Sequence, residues 1–329
     1  MTSPAAKLDR VITTSMTATK SAQENSNRSW QGHRGRFLDA KNGFDVIACE
    51  ACGFAHAVPL PTAAELETVY REDYYRTEKS NYLTFAREDE AWLRLSFGDR
   101  YARFEELLPQ DRRRILDVGT GPGFFLATGR DRGWSVQGIE PSRQAARHAR
   151  DELGLDIVEG FLSERTVSQL KPCDVAHMSE VLEHVPDPAK IIQLVRSALG
   201  PQGLICISVP NDYNPFQHVL AAADAYPSWW VQPPHHLNYF NFDSLSALLE
   251  REGFEVVGRD TNFPMELFLL MGDNYVGNDA LGRSLHGKRK RFDLAFTRAG
   301  RDEVRRTVYR ALAEAGLGRL AIVTARKRS

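Results

Sequence analysis

From residue 114 onward, short runs of apolar residues alternate with segments whose apolar positions recur at helical spacing. Short, nearly continuous apolar runs are typical of strands that are buried on both faces. Predicted strands of this kind lie at 114–119, 135–140, 156–159, 174–179 and 203–209, and a further one begins at 255. Predicted helices lie between them, at 123–132, 141–154, 187–200 and 243–252. This alternation predicts an α/β fold with a doubly wound, mostly parallel sheet.

The last part of the chain contains one more strand pattern, RLAIVTA at 319–325, after an interval of helical patterns. The apolar segment at 264–271 is predicted to be a core helix, and further helices are predicted at 278–299 and 301–315. These helices would form an insertion before the last strand, over the sheet edge or over the active site.

The first part of the chain has a weaker pattern. Residues 1–29 are rich in Ser, Thr and Ala and have few large apolar side chains, which predicts a disordered tail. A cysteine-containing segment follows at 30–60. Helices are predicted to begin near the capping-box residues Thr62 and Glu65, and again over 82–108.

The composition is ordinary for a globular protein, with 42% hydrophobic and 26% charged residues and a net charge of −1. We therefore expect no nucleic-acid partner, and no apolar run is long enough to predict a membrane span. Four cysteines without a disulfide pattern favour a reducing, cytoplasmic location. Residues 281–329 hold 14 Lys and Arg against 4 Asp and Glu, a net charge of +10. That basic stretch could be a solvated helical face or could hold an acidic substrate.

The candidate chemistry is concentrated where the strand at 114–119 runs into the turn Gly119-Thr120-Gly121-Pro122-Gly123. Glycines in such a turn let a ligand approach the backbone, and the N-terminus of the next helix offers unpaired N–H groups. Glu140 ends the next strand, where a carboxylate can accept hydrogen bonds from both hydroxyls of a ribose. NAD and S-adenosylmethionine sites share this arrangement. Bulky Phe124 at the third glycine position of a dinucleotide fingerprint, and Asp117, which would repel a pyrophosphate, favour S-adenosylmethionine.

The run ILDVGTGPGFFL, the acid in GIEPS and the later SEVLEHVPDP together resemble class I S-adenosylmethionine-dependent methyltransferases. The resemblance covers about residues 80–260 and is strongest to the branch with quinone-biosynthesis O-methyltransferases and many sugar and natural-product enzymes. It implies a Rossmann-like methyltransferase fold of seven strands, whose antiparallel last strand is 319–325. The chain would then have an N-terminal extension at 30–108, with the CxxC segment and helices, and a methyltransferase domain at 109–329. A helical insertion at about 264–316 would precede the last strand.

The resemblance implies methyl transfer from S-adenosylmethionine to a small-molecule acceptor. We expect that acceptor to be a hydroxyl of a sugar, a nucleotide-linked sugar or a quinone-like ring. The alternatives are an NAD-dependent oxidoreductase and a protein that binds S-adenosylmethionine without catalysis. Helices 278–299 and 301–315 are predicted to form a lid or a homodimer contact.

The resemblance also implies a cofactor site built from four strand ends. The glycine-rich turn would hold the methionine part of the cofactor, and the residues after the next two strands would hold the ribose and adenine. The residues at the end of 174–179 would lie near the sulfonium and amino group. The full set is Asp117, Gly119, Thr120, Gly121, Gly123, Glu140, Pro141, Gly160, Phe161, Ser179 and Glu180.

Histidines are the candidates for a general base, because their pKa lies near neutrality. His235 and His236 lie between the strand at 203–209 and the next helix, on the side of the sheet where open α/β folds bind ligands. They are therefore predicted to be catalytic. His184 stands among apolar neighbours in EVLEHV and is interpreted as structural.

Cys49 and Cys52, followed by Gly53, form half of a zinc knuckle. The sequence has no second cysteine pair, and His33 and His56 would complete a Cys2His2 set only with unusual spacing. A reduced cysteine pair in a turn is the alternative interpretation, so the sequence assigns no metal ligand.

Overall fold

The computed structural model describes residues 27–61 and 88–328. Three predictions fall wholly or mostly outside these residues: the disordered tail, the helix near Thr62 and Glu65, and the first turn of the helix at 82–108. They remain predictions.

The described residues form twelve strands and ten α-helices. The strands are β1 Asn27–Trp30, β2 His33–Lys41, β3 Phe44–Cys49, β4 Ala55–Val58, β5 Arg114–Val118, β6 Ser135–Glu140, β7 Ile157–Glu159, β8 Cys173–Ser179, β9 Leu199–Pro210, β10 Asn238–Tyr239, β11 Phe254–Asp260 and β12 Leu320–Lys327. The helices are α1 Glu90–Leu107, α2 Phe124–Asp131, α3 Arg143–Arg147, α4 Glu164–Val167, α5 Pro188–Ala198, α6 Pro215–Asp224, α7 Phe242–Arg251, α8 Glu266–Leu270, α9 Asp279–Arg298 and α10 Asp302–Glu314. None of these described helices has the length and apolarity needed to cross a membrane.

The larger sheet has seven strands in the order β11-β12-β9-β8-β5-β6-β7. The pairs from β9 through β7 are all parallel. β12 runs antiparallel to both β9 and β11. The predicted doubly wound, mostly parallel sheet and its antiparallel final strand are therefore confirmed.

Successive residues of β5 point to opposite faces of this sheet, as strand geometry requires. Leu116 is buried in the core that also contains apolar residues of α5 and α7, whereas Ile115 is buried with residues of α1 and α2. The apolar run that predicted this strand is continuous because both of its faces are covered.

A second sheet, antiparallel throughout and not predicted from the sequence, has the order β1-β2-β3-β4-β10. Its first two hairpins turn at Gln31-Gly32 and Asn42-Gly43, where all four residues have positive φ. Two successive positive φ angles are the conformation of a type I′ hairpin turn. β10 lies in the segment between α6 and α7, so this small sheet joins the N-terminal segment to the rest of the fold.

Two boundaries differ from the predicted ones. α5 ends at Ala198 and β9 begins at Leu199, because Leu199 already pairs with Cys173 of β8. The helix predicted over 141–154 is α-helical only in α3 and continues as a π-helical turn, His148–Glu152.

The insertion predicted at about 264–316 contains α8, α9 and α10. α9 packs against α1, where Trp92 Nε1 donates a hydrogen bond to Asp293 Oδ2 at 2.7 Å. α10 lies against the edge strand β11. Within the insertion, α10 therefore covers the edge of the sheet.

Basic residues of the insertion pack against the protein's own surface. Arg305 is 3% exposed, and its Nη1 lies 2.7 Å from Asp99 Oδ2 on α1. The guanidinium of Arg289 lies 4.6 Å from the ring centre of Trp92. Part of the positive charge at 281–329 is therefore held inside the fold.

Candidate functional site

A cleft opens at the carboxyl edge of the larger sheet, the edge where open α/β folds bind ligands. Its walls come from the ends of β7, β6, β5 and β8 and the loops after them, and these four strands are neighbours in the sheet. The empty volume of the cleft is about 840 Å³, counted out to its open mouth. Most of the lining is apolar, and its polar side chains are Glu140, Glu180 and His184. An apolar cleft with a few convergent polar groups is typical of a small-molecule site.

Backbone conformation shapes this cleft. Gly119 has a φ of +74°, and a Cβ added there would lie 2.6 Å from Val181 Cγ2. Glu180 has a φ of +56°, which is uncommon for a residue with a side chain. Its N–H donates to Ser208 O at 2.8 Å and holds the loop after β8 against β9. Such backbone outliers concentrate at functional sites.

Glu140 ties the glycine-rich turn to the loop after β6. Its Oε2 accepts a hydrogen bond from the N–H of Gly121 at 2.7 Å, and its Oε1 accepts one from the N–H of Ser142 at 2.8 Å. The residue is 1% exposed. These bonds fix the carboxylate at the place where the sequence predicts a partner for ribose hydroxyls.

Six of the predicted cofactor residues line the cleft, namely Gly119, Glu140, Pro141, Gly160, Phe161 and Glu180. Gly123 has a different role, because a Cβ there would lie 2.6 Å from Leu155 Cδ1. This glycine allows α2 to pack closely on the segment before β7.

The remaining predicted residues support the turn and the strand ends. The hydroxyl of Thr120 donates to the backbone oxygen of Asp117 at 2.9 Å, and the N–H of Gly121 binds Glu140 as described. Ser179 pairs with a residue of β9 as the last residue of β8. Thr120, Gly121 and Ser179 are not part of the cleft lining.

The carboxylate of Asp117 is buried in the core, and Asp117 is not part of the cleft lining. Its Oδ1 accepts a hydrogen bond from His177 Nδ1 at 2.7 Å, while Arg100 Nη1 donates to His177 Nε2 at 3.0 Å. Burial lowers the pKa of His177, although the neighbouring Asp117 opposes that effect. The side chain of Asp117 therefore orders the turn from inside the core, and its contact with the cofactor stays a prediction.

His184 lines the cleft, whereas His235 and His236 do not. His184 Nδ1 lies 2.6 Å from the backbone oxygen of His235, and the ring centres of His184 and His236 are 5.0 Å apart. His184 therefore lies at the cleft as well as contacting the histidine-bearing loop, and its interpretation as structural stays a prediction. The position of His184 directly after β8 is the sequence signal for its place at the cleft, since ligands bind at that edge of the sheet.

The histidine-bearing loop is fixed to the segment that carries His184. The side-chain amide of Asn238 donates to the backbone oxygens of Leu182 at 2.8 Å and Val185 at 2.7 Å. The N–H of Leu237 donates to the backbone oxygen of Glu183 at 2.7 Å. The geometry of His184 therefore depends on the loop that ends in β10.

A family model described as a methyltransferase domain matches residues 89–258, which is more than half of the chain. The chain belongs to the class I S-adenosylmethionine-dependent methyltransferases. The cofactor of this methyltransferase is S-adenosylmethionine, and not the NAD of the alternative interpretation.

Curated relatives of the methyltransferase include ubiquinone biosynthesis O-methyltransferases. The one from Actinobacillus pleuropneumoniae serotype 5b is 37% identical over 109 residues, which cover 30% of this chain and 46% of the relative. The one from Caulobacter sp. (strain K31) is 31% identical over 182 residues, covering 50% of this chain and 71% of the relative. The chain thus spans a little under half the length of the first relative.

Among solved structures, the methyltransferase is similar to Burkholderia thailandensis 1,6-didemethyltoxoflavin-N1-methyltransferase with bound 1,6-didemethyltoxoflavin and S-adenosylhomocysteine. The identity is 17%, the coverage is 92% of this chain and 100% of that one, and the TM-score is 0.48.

Two groups of described side chains in the methyltransferase bring potential metal-ligand atoms within 4.8 Å of one another. One group, Glu183, His184 and His236, lies beside the cleft. The other group lies in the small sheet and is made of His33, Cys49, Cys52 and His56.

Asp212, just after β9, is a buried carboxylic acid near the same edge of the sheet. It is 1% exposed, and neither carboxylate oxygen has a hydrogen-bond partner among the described residues. Burial raises its pKa from 3.8 to about 7, and Arg319 opposes that effect. Between these pH values the folded methyltransferase holds a proton that the unfolded chain has released. Stability should therefore fall as the pH rises through this range.

The gain in stability of the Asp212→Asn variant over the wild type should consequently grow with pH and be larger at pH 8 than at pH 5. The gain at pH 8 should be at most about 4 kcal/mol, since one pKa unit corresponds to about 1.4 kcal/mol. Thermal denaturation at the two pH values measures this difference. The exposed Asp111→Asn variant serves as the control and should change stability little at either pH. An equal effect of Asp212→Asn at both values would contradict the assignment.

Proposed function

We propose that this methyltransferase transfers the methyl group of S-adenosylmethionine to a hydroxyl of a small molecule. The observation that carries the proposal is the order of the groups around the cleft. Gly160 and Phe161 follow β7, Glu140 ends β6, Gly119 follows β5, and the polar residues after β8 complete the wall. This order matches an extended ligand with adenine at one end, a ribose in the middle and the reacting methyl near Glu180 and His184.

The reaction requires the protein mainly to align the reactants and to exclude water. S-adenosylmethionine supplies a methyl group that is already activated by its sulfonium. The apolar walls formed by residues such as Val181 and Ile191 would keep water from the cleft. Holding the acceptor oxygen in line with the methyl and sulfur atoms removes most of the entropic part of the barrier.

Proton removal from the acceptor is assigned to the paired histidines His184 and His236. If Nδ1 of His184 carries the proton and donates it to the backbone oxygen of His235, the basic lone pair of the His184 ring is on Nε2. His236 lies beside that ring, whereas His235 takes part through its backbone. Of the two histidines predicted from the sequence, His236 is therefore the better candidate for a part in proton removal, together with His184 at the cleft.

The His236→Ala variant should lower kcat by roughly 10²–10⁴, the usual contribution of a general base. Its affinity for S-adenosylhomocysteine should stay close to that of the wild type, because His236 is not part of the cleft lining. The matched controls are His235→Ala and His218→Ala, the latter at an exposed position of α6. Full activity of His236→Ala would exclude it from proton removal, and an equal loss in His235→Ala would indicate a role of the loop as a whole.

The names of the curated relatives support an aromatic or quinone-like hydroxyl acceptor, with sugars and nucleotide-linked sugars as the other candidates. Transfer of a radiolabelled methyl group to a panel of catechols, sugars and nucleotide-linked sugars tests this class. Labelling of RNA or protein alone would overturn the small-molecule proposal. Tight binding of S-adenosylhomocysteine without transfer to any acceptor would favour the non-catalytic alternative.

A further inference from the structure

The small sheet brings together four metal-ligating side chains, none of which lines the cleft. His33 is the first residue of β2, Cys49 is the last residue of β3, Cys52 lies in the turn that follows, and His56 lies in β4. One potential ligand atom from each residue lies within 4.8 Å of all the others. The proposed methyl transfer does not use any of these residues.

Two distances within this Cys2His2 group match those of a tetrahedral metal site. His33 Nδ1 lies 3.7 Å from Cys49 Sγ and 3.4 Å from Cys52 Sγ. Zinc–sulfur bonds of about 2.3 Å and zinc–nitrogen bonds of about 2.0 Å at tetrahedral angles place sulfur and nitrogen about 3.5 Å apart. The group therefore needs little rearrangement to surround one ion.

His56 is oriented in the way that metal-ligating histidines usually are. Its Nδ1 lies 2.9 Å from the backbone oxygen of Ala57. Donation of the Nδ1 proton to that oxygen leaves the lone pair on Nε2, the usual arrangement of a zinc ligand and its supporting carbonyl. Nε2 is buried and has no hydrogen-bond partner among the described residues. Since His56 is 1% exposed, this is a buried polar atom whose partner is missing.

The two cysteines lie on a turn that suits metal binding. Gly53 follows Cys52 with a φ of +75°, and its N–H donates to the backbone oxygen of Cys49 at 2.9 Å. Cys49 is 3% exposed. The turn therefore holds the Sγ atoms of Cys49 and Cys52 within 4.8 Å of each other.

We propose that His33, Cys49, Cys52 and His56 bind one Zn²⁺ as a structural site. Two thiolates and two neutral imidazoles balance the charge of the ion, and binding releases two thiol protons to solvent. Four protein ligands leave no open position for catalysis. The set of two sulfur and two nitrogen donors favours zinc over magnesium or calcium, which prefer oxygen.

The site ties the N-terminal segment to the histidine-bearing loop. His56 pairs with Asn238 of β10, and the N–H of Ala57 donates to the backbone oxygen of Leu237 at 2.8 Å. β10 begins two residues after His236. Zinc bound to His56 would therefore hold β4 in the register that positions this loop.

Metal analysis of the full-length protein, purified from zinc-supplemented medium without chelator, tests the proposal. We expect about one zinc per chain in the wild type and a loss of most of it in Cys52→Ser. Cys173→Ser, which alters a buried thiol outside the group, and His236→Ala should both retain the metal. A wild type without zinc would overturn the proposal, as would a Cys52→Ser protein that keeps its zinc.

Cobalt substitution keeps the test decisive if Cys52→Ser does not fold. The wild type with Co²⁺ in place of zinc should give the visible bands of a tetrahedral site and the near-ultraviolet charge-transfer band of thiolate ligands. Removal of the metal with a chelator should lower the Tm of the wild type, because metal binds the folded state. Octahedral cobalt spectra without a thiolate band would overturn the proposal.

Discussion

Replacing Glu140 by Gln should weaken the binding of S-adenosylhomocysteine by about 100-fold, or about 2.7 kcal/mol. Oε1 and Oε2 each accept a hydrogen bond from a backbone N–H, of Ser142 and Gly121 respectively. Either orientation of a Gln amide would therefore set an N–H group against an N–H group. The residue is buried, so water cannot relieve that conflict, and a charge-assisted bond to the ribose hydroxyls is lost as well.

Isothermal titration calorimetry with S-adenosylhomocysteine measures this effect. The matched control is Glu159→Gln at the end of the adjacent strand β7, where the carboxylate is more than one third exposed and pairs with Arg143 and Arg150. Because Glu159 is not part of the cleft lining, the control should bind almost as tightly as the wild type. Wild-type affinity in Glu140→Gln would show that the ribose lies elsewhere.

Deleting residues 316–329 should give an insoluble or unfolded protein, although it removes no residue of the cleft. The deletion takes away β12, which lies between β9 and β11 and pairs with both. Ala321, Val323 and Ala325 of this strand are fully buried. Without it, two long strands would expose unpaired edges and the cores beneath them would lose their cover.

Soluble yield and far-ultraviolet circular dichroism measure the outcome of this truncation. A chain that ends at Lys327 keeps all of β12 and is the control, which should remain soluble and folded. A soluble protein ending at residue 315 that still binds S-adenosylhomocysteine would mean that the sheet is complete without its last strand.

The larger sheet could be predicted because its strands are buried on both faces. β5, for example, is covered on both sides and reads as a continuous apolar run before the glycine-rich turn. The same reasoning located Glu140, because the carboxyl ends of adjacent parallel strands meet at one edge. The spacing of Asp117 from Gly119 cannot reveal that His177 of the neighbouring strand binds its carboxylate.

The small sheet was missed for two physical reasons. Its fifth strand, β10, has only two residues, and it pairs with β4 across more than 180 residues of chain, which no local pattern encodes. The hairpin at Asn42-Gly43 did carry a signal, because Asn-Gly is the preferred sequence for a type I′ turn. Recognising that turn would have placed Cys49 and His56 on neighbouring strands and strengthened the Cys2His2 hypothesis.

A crystal structure of the full chain with S-adenosylhomocysteine tests the central claim most directly. We expect the ribose hydroxyls to lie within hydrogen-bond distance of the Glu140 carboxylate, the adenine beside Gly160 and Phe161, and the sulfur near Glu180 and His184. Density for the ligand at any other place, or a cleft that stays empty at saturating ligand, would contradict the account.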